Sequence, residues 1–329
     1  MPANSDQTIC KKDKRLRLAL ICGGRSAERE VSLKGAEEIK RALNPSRYEV
    51  MIYDPAIDIS RLVHDAPKLD AAFILLHGRL GEDGTIQGLL DLIGLPYQGS
   101  GVLGSALAMD KHLSKVIYRS AGIQTPAWIL IEKDEQPTEK EIIKCIGLPL
   151  MIKPATQGSS VGMSKVVCPE DLKPAIDEAF RWDKKVIAEA FIHGREITGA
   201  VLGLEKPEAL PIIEIRPGEG HGFFDYQAKY QEGASREICP AELPNDVAEE
   251  ARRLAIMTHK ALNLSGYSRT DMIVNTDNCI FVLETNTIPG MTRTSLFPQA
   301  ARAAGISFSE LLDRLIAMAI SKGKSRSHD

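Results

Sequence analysis

The chain has 329 residues, of which 43% are hydrophobic and 26% are charged, and its formal net charge is −3. This length suits two or three domains, and the small negative charge argues against a general binder of nucleic acids or anionic membranes. No apolar run is long enough to cross a bilayer, and the run that follows the basic residues at 11–17 is too short for the core of a signal peptide. We therefore expect a cytoplasmic protein without a membrane partner.

The first hundred residues alternate between strand and helix patterns. Apolar runs predict strands at 17–22, 48–53 and 71–76, and helical spacing predicts a helix at 30–43. The order β-α-β-α-β predicts a doubly wound domain with a parallel sheet, to which we assign residues 1–107. Ligands bind beyond the carboxyl ends of the strands in such a sheet, and Glu28 and His77 both fall there.

Two further regions follow. Residues 108–199 are predicted to form a central subdomain with strands at 149–153, 163–167 and 186–190, a helix at 172–179, and a helix at 105–121 leading into it. Residues 200–329 are predicted to contain longer strands, a polar loop at 218–235 whose length is typical of a lid, and a helix at 246–263. A last helix begins at Ser307 with a Ser307–Glu310 capping box, and its apolar stripe consists of Leu311, Leu312, Leu315, Ala319 and Ile320. The predicted fold class is therefore α/β, changing to α+β in the C-terminal part.

A glycine-rich loop at 154–162 follows Lys153, which ends a predicted strand. Backbone N–H groups of such a loop can approach phosphate oxygens closely, and a lysine adds a point charge. The loop is not a Walker A loop, because no Gly-Lys-Ser/Thr ends it. Taken alone, the segment is compatible with a phosphate site or with a plain hairpin turn.

A second candidate segment runs from Glu189 to Glu196 at the end of another predicted strand. Its apolar side chains and backbone groups could hold an adenine, and a carboxylate could bind ribose hydroxyls, although both acids would be ordinary at a surface. The G-x-G-x-x-G pattern at 99–104 is not expected to bind nicotinamide, because Pro96 interrupts the residues before it and no acid follows about twenty residues later.

The most informative segment is a predicted antiparallel hairpin, in which the apolar runs MIV and CIFVLE flank the polar turn at 275–278. If the turn is centred between residues 276 and 277, Asp271 faces Val282, and Glu284 and Asn286 share its face as diagonal neighbours. Two carboxylates and a carboxamide there suit Mg²⁺. A slip of one residue would place Asp271 on the other face, and a solvated hairpin with surface acids is the alternative.

The segments GGRSAEREVS at 23–32, HGRLGEDG at 77–84 and ETNTIPGMTRTS at 284–295 together resemble D-alanine–D-alanine ligases. The strand-end lysine, the glycine-rich loop and the acidic hairpin resemble the wider ATP-grasp superfamily. The resemblance runs from about Leu18 to the last helix, and its first and last motifs are specific. It implies an ATP-grasp fold behind an N-terminal doubly wound domain.

The resemblance also implies roles for individual residues. Glu28 and His77 would lie near the ammonium of the first substrate, Arg269 and the N–H of Gly290 around the reacting carbonyl, and Ser295 and Leu296 on the carboxylate of the second substrate. The lid residue Tyr230 would link to Ser159 and Glu28. The nucleotide contacts would be Lys111, Lys153, Ser159, Glu189, Ala190, Phe191, Ile192, Glu196, Lys229 and Asn286, and the ligands of two Mg²⁺ or Mn²⁺ ions would be Asp271, Glu284 and Asn286.

The implied reaction joins two D-alanine molecules with ATP. The first carboxylate would attack the γ-phosphate, and the amine of the second D-alanine would attack the resulting acyl phosphate, which supplies a peptidoglycan precursor. The resemblance further implies a homodimer. A related ligase that uses another amine or hydroxy acid, and a non-catalytic binding protein on the same scaffold, are the alternatives.

Overall fold

The computed structural model describes residues 15–26, 28–158, 161–218 and 235–326. None of the helices in these ranges is both long and apolar enough to span a membrane.

The N-terminal part is a parallel sheet flanked by helices. Its strands have the order β2-β1-β3, and all of β3 and the last five residues of β1 are buried, as expected for a sheet covered on both faces. The predicted β-α-β-α-β order is confirmed. The elements are β1 (Leu16–Cys22), α1 (Arg29–Ala42), β2 (Tyr48–Tyr53), α2 (Ile59–Asp65), β3 (Ala71–Leu75) and α3 (Thr85–Leu92).

Gly23 and Gly24 turn the chain beyond β1 at φ values of 85° and 79°, which glycine adopts at little cost. Their N–H groups donate to Ser32 Oγ at 2.8 Å and to Asp54 Oδ1 at 2.9 Å, respectively. The turn therefore fixes the start of α1 beyond the carboxyl end of the sheet, and with it the position of Glu28.

The helix predicted at 105–121 is two helices, α4 (Val102–Met109) and α5 (Lys111–Ser120). Asp110 separates them with an extended backbone and caps α5, because its Oδ1 accepts a hydrogen bond from Leu113 N at 3.0 Å. The break makes Lys111 the first residue of α5.

The middle of the chain forms an antiparallel sheet in the order β4-β7-β5-β6, with two helices packed on it. The elements are β4 (Trp128–Glu132), α6 (Glu139–Ile146), β5 (Leu150–Pro154), β6 (Ser164–Val166), α7 (Leu172–Ala179) and β7 (Lys185–Ala190). Lys153 and Glu189 lie on the adjacent strands β5 and β7.

A six-stranded antiparallel sheet follows, with the path β11-β10-β8-β12-β13 and β9 paired to β8. The elements are β8 (Arg195–Gly203), β9 (Glu208–Ala209), β10 (Ile213–Pro217), β11 (Ser235–Ile238), α8 (Asn245–Ala261), β12 (Gly266–Val274) and β13 (Ile280–Asn286). The predicted metal hairpin is therefore β12–β13, at one end of this path.

The chain ends, within the described ranges, with α9 (Leu296–Ala303) and α10 (Phe308–Arg326). Glu310 N donates to Ser307 Oγ at 3.3 Å, as expected for one half of the predicted capping box. The predicted apolar stripe of α10 is buried in one cluster with Leu18, Leu20 and Phe73 of the N-terminal sheet. The last helix thus packs against the N-terminal sheet.

Candidate active site

The register of the β12–β13 hairpin differs from the predicted one. Asp271 pairs with Glu284 rather than with Val282, and Val282 pairs with Met272. The turn is a five-residue loop at 275–279, and its centre is residue 277 rather than the predicted point between residues 276 and 277. Within the loop, Asn275 Oδ1 accepts hydrogen bonds from Asp277 N at 3.0 Å and Cys279 N at 2.8 Å. A bulge between Asp271 and Met272 adds a further shift.

The predicted convergence of three oxygen-bearing side chains is nevertheless retained. Directly opposed residues of an antiparallel pair share one face, and so do residues two apart on one strand. Asp271 opposes Glu284, and Arg269 opposes Asn286. All four side chains therefore lie on one face of the sheet. Asp271 and Glu284 are directly opposed on that face, whereas they were predicted to be diagonal neighbours.

Asp271 is bound on both carboxylate oxygens. Arg269 donates from Nε to Oδ1 at 2.9 Å and from Nη2 to Oδ2 at 2.8 Å, and Thr198 Oγ1 donates to Oδ1 at 2.7 Å. Asp271 and the Arg269 side chain are largely buried, and such bidentate pairs are stronger and more directional than single bonds. The network fixes both groups in one geometry.

The lysines expected at the phosphates lie on different elements, Lys111 at the start of α5 and Lys153 on β5. Lys111 Nζ donates to Gln157 O of the glycine-rich loop at 2.5 Å and lies 3.4 Å from Glu284 Oε2. Lys153 forms an ion pair with Glu189 Oε1. Burial opposes the charged form of Lys153, but the attraction of Glu189 outweighs it and raises the pKa of the ammonium.

A third lysine, Lys115, was missed by the sequence interpretation. It is fully buried, and its Nζ lies 2.5 Å from Glu189 Oε2 and donates to Thr125 Oγ1 at 2.6 Å. Burial lowers the pKa of Lys115 despite the attraction of Glu189. Its spacing of four residues from Lys111 would put both on one face of a helix, and this signal could have found it.

Glu189 is the penultimate residue of β7, as the predicted strand has it, and it is only 2% exposed rather than at the surface. Its two oxygens face Lys115 and Lys153, and these charges lower the pKa of the carboxyl although burial would raise it. Glu189 is therefore positioned to organise lysines, and a direct contact of its side chain with nucleotide stays a prediction.

The segment after Glu189 carries the expected apolar groups. Ala190 is the last residue of β7, and Phe191 N donates to Pro149 O at 3.2 Å. The Phe191 ring contacts His193 edge to face and has Lys165 Nζ 3.7 Å from its centroid. Ile192 follows as a half-buried residue, and Glu196 lies on β8 opposite Ile215 and Ile273.

Buried titratable groups lie beyond the N-terminal sheet. Glu28 immediately precedes α1 and is 8% exposed, as is His77 beyond β3. Burial lowers the pKa of His77 although the nearby Glu28 carboxylate opposes this, and the ring hydrogen-bonds to the backbone of Ile288. The proximity of Glu28 and His77 agrees with the sequence expectation.

Glu82 also lies in this group and was not identified from the sequence. Its Oε2 accepts a hydrogen bond from Gly78 N at 2.6 Å. Burial, and to a smaller extent the negative charge of Glu28, raises the pKa of Glu82 to about 8. A Cβ on Gly158 of the glycine-rich loop would lie only 3.0 Å from the same oxygen. The buried carboxyl therefore packs the N-terminal part directly against that loop.

The loop after β13 folds back on itself at Gly290 and Ser295. A Cβ at Gly290 would lie 2.9 Å from Ser295 Oγ, so the two residues are in close contact. Ser295 Oγ accepts from Thr292 N at 3.1 Å, and Ser295 immediately precedes α9, whose first residue is Leu296. The expected carboxylate clamp is thus at a helix N-terminus, where backbone N–H groups favour anions.

Several of these groups line one cleft of about 370 Å³, and Lys111 lines a neighbouring cavity that shares Glu82, Glu284 and Asn286 with it. The walls of the cleft come from three parts of the chain that are distant in sequence. Ser159, Lys229, Tyr230 and most of the predicted lid lie outside the described residues. The predicted site residues that line the cleft are Glu28, His77, Arg269, Glu284, Asn286, Gly290, Ser295 and Leu296, together with the unpredicted Glu82.

The chemistry of the hairpin side chains suits a hard divalent cation only if other ligands contribute. Across the ranges that the structure describes, no three His, Cys, Asp or Glu side chains cluster as a metal site. The expected set has two carboxylates and Asn286, whose Oδ1 accepts from Ile288 N at 3.0 Å and is thereby oriented. Carboxylate and amide oxygens fit Mg²⁺, which in many sites completes its shell with water and substrate phosphates.

Comparisons with known proteins match this architecture. Family models described as D-ala D-ala ligase N-terminus and C-terminus match residues 56–100 and 117–317. The D-alanine–D-alanine ligase of Syntrophobacter fumaroxidans is 55% identical over 93% of this chain and 98% of its own, and that of Desulfotalea psychrophila is 51% identical over 96% and 98%.

Solved structures agree with the sequence relatives. A crystal structure of the D-alanine–D-alanine ligase of Bacillus anthracis complexed with ATP matches with a TM-score of 0.83 and 37% identity over 94% of this chain and 99% of that one. The VanG D-Ala:D-Ser ligase of Enterococcus faecalis matches with a TM-score of 0.81 and 32% identity over 93% and 100%. The predicted ATP-grasp fold is confirmed, and the chain belongs to the D-alanine–D-alanine ligase family.

Proposed function

We propose that this chain joins two D-alanine molecules into D-alanyl-D-alanine at the expense of ATP, which becomes ADP and phosphate. The proposal rests mainly on one cleft that is lined by groups from separate parts of the chain. These groups are the Glu28–His77 pair, Arg269, the expected metal ligands Glu284 and Asn286, and the N-terminus of α9 at Ser295 and Leu296. Each group suits one part of an amino-acid substrate or of ATP. Membership in the ligase family supports the same assignment.

The first substrate is assigned to the side of Glu28 and His77. A carboxylate beside a largely neutral, buried imidazole suits a small ammonium group, since the acid supplies the charge and the ring limits the space. The carboxylate of this D-alanine then points toward Arg269 and the hairpin. Its oxygen attacks the γ-phosphorus of ATP, the bond to ADP breaks, and an acyl phosphate forms.

The nucleotide is assigned to the side of Lys111, Lys153 and the glycine-rich loop. The apolar residues Phe191 and Ile192 would flank adenine beside Ala190, and Glu196 would accept from the ribose hydroxyls. Lys111 already contacts the loop through Gln157 O, so its ammonium and the backbone N–H groups can act on the same phosphates. Phosphoryl transfer depends mainly on such positioning and charge stabilisation.

Asp271, Glu284 and Asn286 would hold two Mg²⁺ or Mn²⁺ ions, which neutralise phosphate charge when bound. The chain itself orients Asp271 through Arg269 and Thr198, and Asn286 through the N–H of Ile288. Glu284 lies 3.4 Å from the ammonium of Lys111.

The second D-alanine is assigned to Ser295 and Leu296, where its carboxylate would meet the N-terminus of α9. Its amine attacks the acyl carbon and loses a proton, the carbonyl oxygen takes up negative charge, and phosphate leaves with the oxygen that joined it to the acyl group. Arg269 and the N–H of Gly290 stabilise that oxyanion, and such a donor contributes about 3–4 kcal/mol in other enzymes.

Closure of the site is assigned to Ser159, Lys229 and Tyr230. Lys229 would approach the γ-phosphate, and Tyr230 would link Ser159 to Glu28. Exclusion of water is required because the acyl phosphate would otherwise hydrolyse.

The identity of the second substrate needs a separate argument, because a D-Ala:D-Ser ligase is among the similar structures. Relatives that make the D-lactate ester have a different lid, and the Lys229–Tyr230 pair at this position supports the dipeptide product. Purified protein supplied with ATP, Mg²⁺ and D-alanine alone, or with added D-serine or D-lactate, tests this by mass of the product. We expect D-alanyl-D-alanine with each mixture, whereas a preferred mixed product would favour the alternative and no product would refute the activity.

We further infer a homodimer, a cytoplasmic location where ATP is available, and a role in peptidoglycan precursor synthesis. Leu92 at the end of α3 is 87% exposed, and Val102 and Leu103 on the contacting helix α4 are 44% and 59% exposed, which supports an apolar self-association surface. Sedimentation of the protein measures this: a dimer is expected, and a monomer at micromolar concentration would remove the inference.

A further inference from the structure

We propose that Lys115 is a positioning residue that keeps the charge and place of Lys153 suited to ATP. The inference rests on the proposed function, because it takes the triphosphate to bind at Lys153. It concerns a residue outside the set that the ligase motifs assign.

Lys115 does not reach the open cleft. Its side chain is 1% exposed, and its Nζ is occupied by Glu189 Oε2 at 2.5 Å and by Thr125 Oγ1 at 2.6 Å. An ammonium enclosed in this way has no path to a substrate phosphate. Any effect on the nucleotide must therefore pass through its partners.

The partner that matters is Glu189, which is shared between two lysines. Lys153 is bound to Oε1 and Lys115 to Oε2, and all three side chains are buried. In their charged forms, two ammonium groups and one carboxylate carry one net positive charge. Without Lys115, the carboxylate of Glu189 would offset the charge of Lys153, and Lys153 would contribute less positive potential at the phosphates.

Lys115 also joins two halves of the site. Thr125 Oγ1, which accepts from Lys115, itself donates to Val282 O at 2.7 Å. Val282 lies on β13, two residues before Glu284. The chain of contacts therefore ties the lysines of the central sheet to the strand that carries the expected metal ligands.

The test uses the full-length protein and compares Lys115→Met with the double variant Lys115→Met/Glu189→Gln. The single variant should raise KM for ATP about tenfold or more, since a charge-assisted interaction is disrupted, while KM for D-alanine changes little. The double variant leaves Lys153 as an unopposed charge and should recover part of the ATP affinity. A merely structural role predicts no such recovery.

The matched control is Lys173→Met, which removes an exposed lysine that is paired with Asp177 on α7, and unchanged kinetics are expected from it. Lys115→Gln serves as a second neutral variant should methionine prevent folding, with the same expected change in KM. An unchanged KM for ATP in a folded, active single variant, or further loss in the double variant, would overturn the proposal. An inactive wild-type protein would instead reject the proposed function.

Discussion

Arg269 holds the carboxylate of Asp271 with two hydrogen bonds between side chains that are two residues apart on β12. Arg269 is the expected oxyanion donor, and Asp271 is an expected metal ligand. The two roles are therefore coupled in one geometry, and a change in either residue should affect both phosphoryl transfer and the attack on the acyl carbon.

Replacing Arg269 with lysine should lower kcat about 100-fold, because a lysine cannot make the bidentate contact with Asp271 or reproduce its planar donors. The measurement is ADP formation at saturating substrates. Thr198→Val removes only one hydroxyl donor to Asp271, so a loss below about tenfold is expected there. Equal losses in the two variants would contradict a specific role for the guanidinium.

Replacing Glu284 with glutamine should abolish turnover while leaving metal-free ATP binding nearly intact, because the change removes a ligand charge without changing shape. The side chain is 28% exposed and lines the cleft, so a fold defect is not expected. Activity as a function of Mg²⁺ concentration and calorimetric ATP binding in a chelator separate the two effects. Turnover like that of the wild type would refute the metal assignment.

Replacing Glu82 with glutamine should make stability less dependent on pH. The pKa of Glu82 is raised to about 8 in the folded chain from an ordinary 4.5, so its contribution to stability is full below pH 4.5 and is lost as the pH rises to 8. The wild type should therefore lose stability relative to Glu82→Gln across that window, by at most about 1.4 kcal/mol per pH unit. Urea unfolding at pH 5, 6.5 and 8 gives the difference, and a constant difference would disprove a buried, protonated Glu82.

Replacing Leu315 with alanine should reduce the free energy of unfolding by about 2–5 kcal/mol, because it removes a fully buried side chain from the cluster that joins α10 to the N-terminal sheet. Ile57→Ala is the matched control, since Ile57 is 82% exposed and a change within about 0.5 kcal/mol is expected. Chemical denaturation measures both. A small effect at Leu315 would mean that the last helix is not part of the core.

Replacing Tyr230 with phenylalanine should loosen closure of the predicted lid, because the link to Ser159 and Glu28 needs the phenol hydroxyl. We expect a lower kcat and a larger share of ATP hydrolysis without dipeptide, measured as the ratio of phosphate to product. Kinetics identical to those of the wild type would remove the lid assignment.

The N-terminal sheet could be predicted closely because β3 and most of β1 are buried on both faces and appear as nearly continuous apolar runs. The hairpin register could not, since it depends on how Asn275 closes the turn and on the bulge beside Asp271. The helix break at Asp110 was missed for a similar reason: aspartate caps a helix only where its own backbone leaves the helical conformation, as it does here. The assigned domain bounds stay predictions.

The residues of the site also divide into those that the sequence predicted and those that it did not. Residues in local motifs, such as Glu28, His77 and Glu284, were assigned from the sequence and lie together. The spacing of Lys115 from Lys111 placed it on the same helix face, but its burial and its contact with Glu189 depend on a distant part of the chain, as does the approach of Glu82 to Gly158. The packing of α10 on the N-terminal sheet is equally non-local, although its apolar stripe was visible.

The central claim is that an amino-acid carboxylate is activated by phosphorylation and then captured by a second amino acid. The most direct measurement supplies D-alanine labelled with ¹⁸O in the carboxylate, together with ATP and Mg²⁺, and determines the isotope in the released phosphate by mass. The account predicts one labelled oxygen in each phosphate, formed in step with D-alanyl-D-alanine. Unlabelled phosphate, or phosphate released without dipeptide, would contradict it.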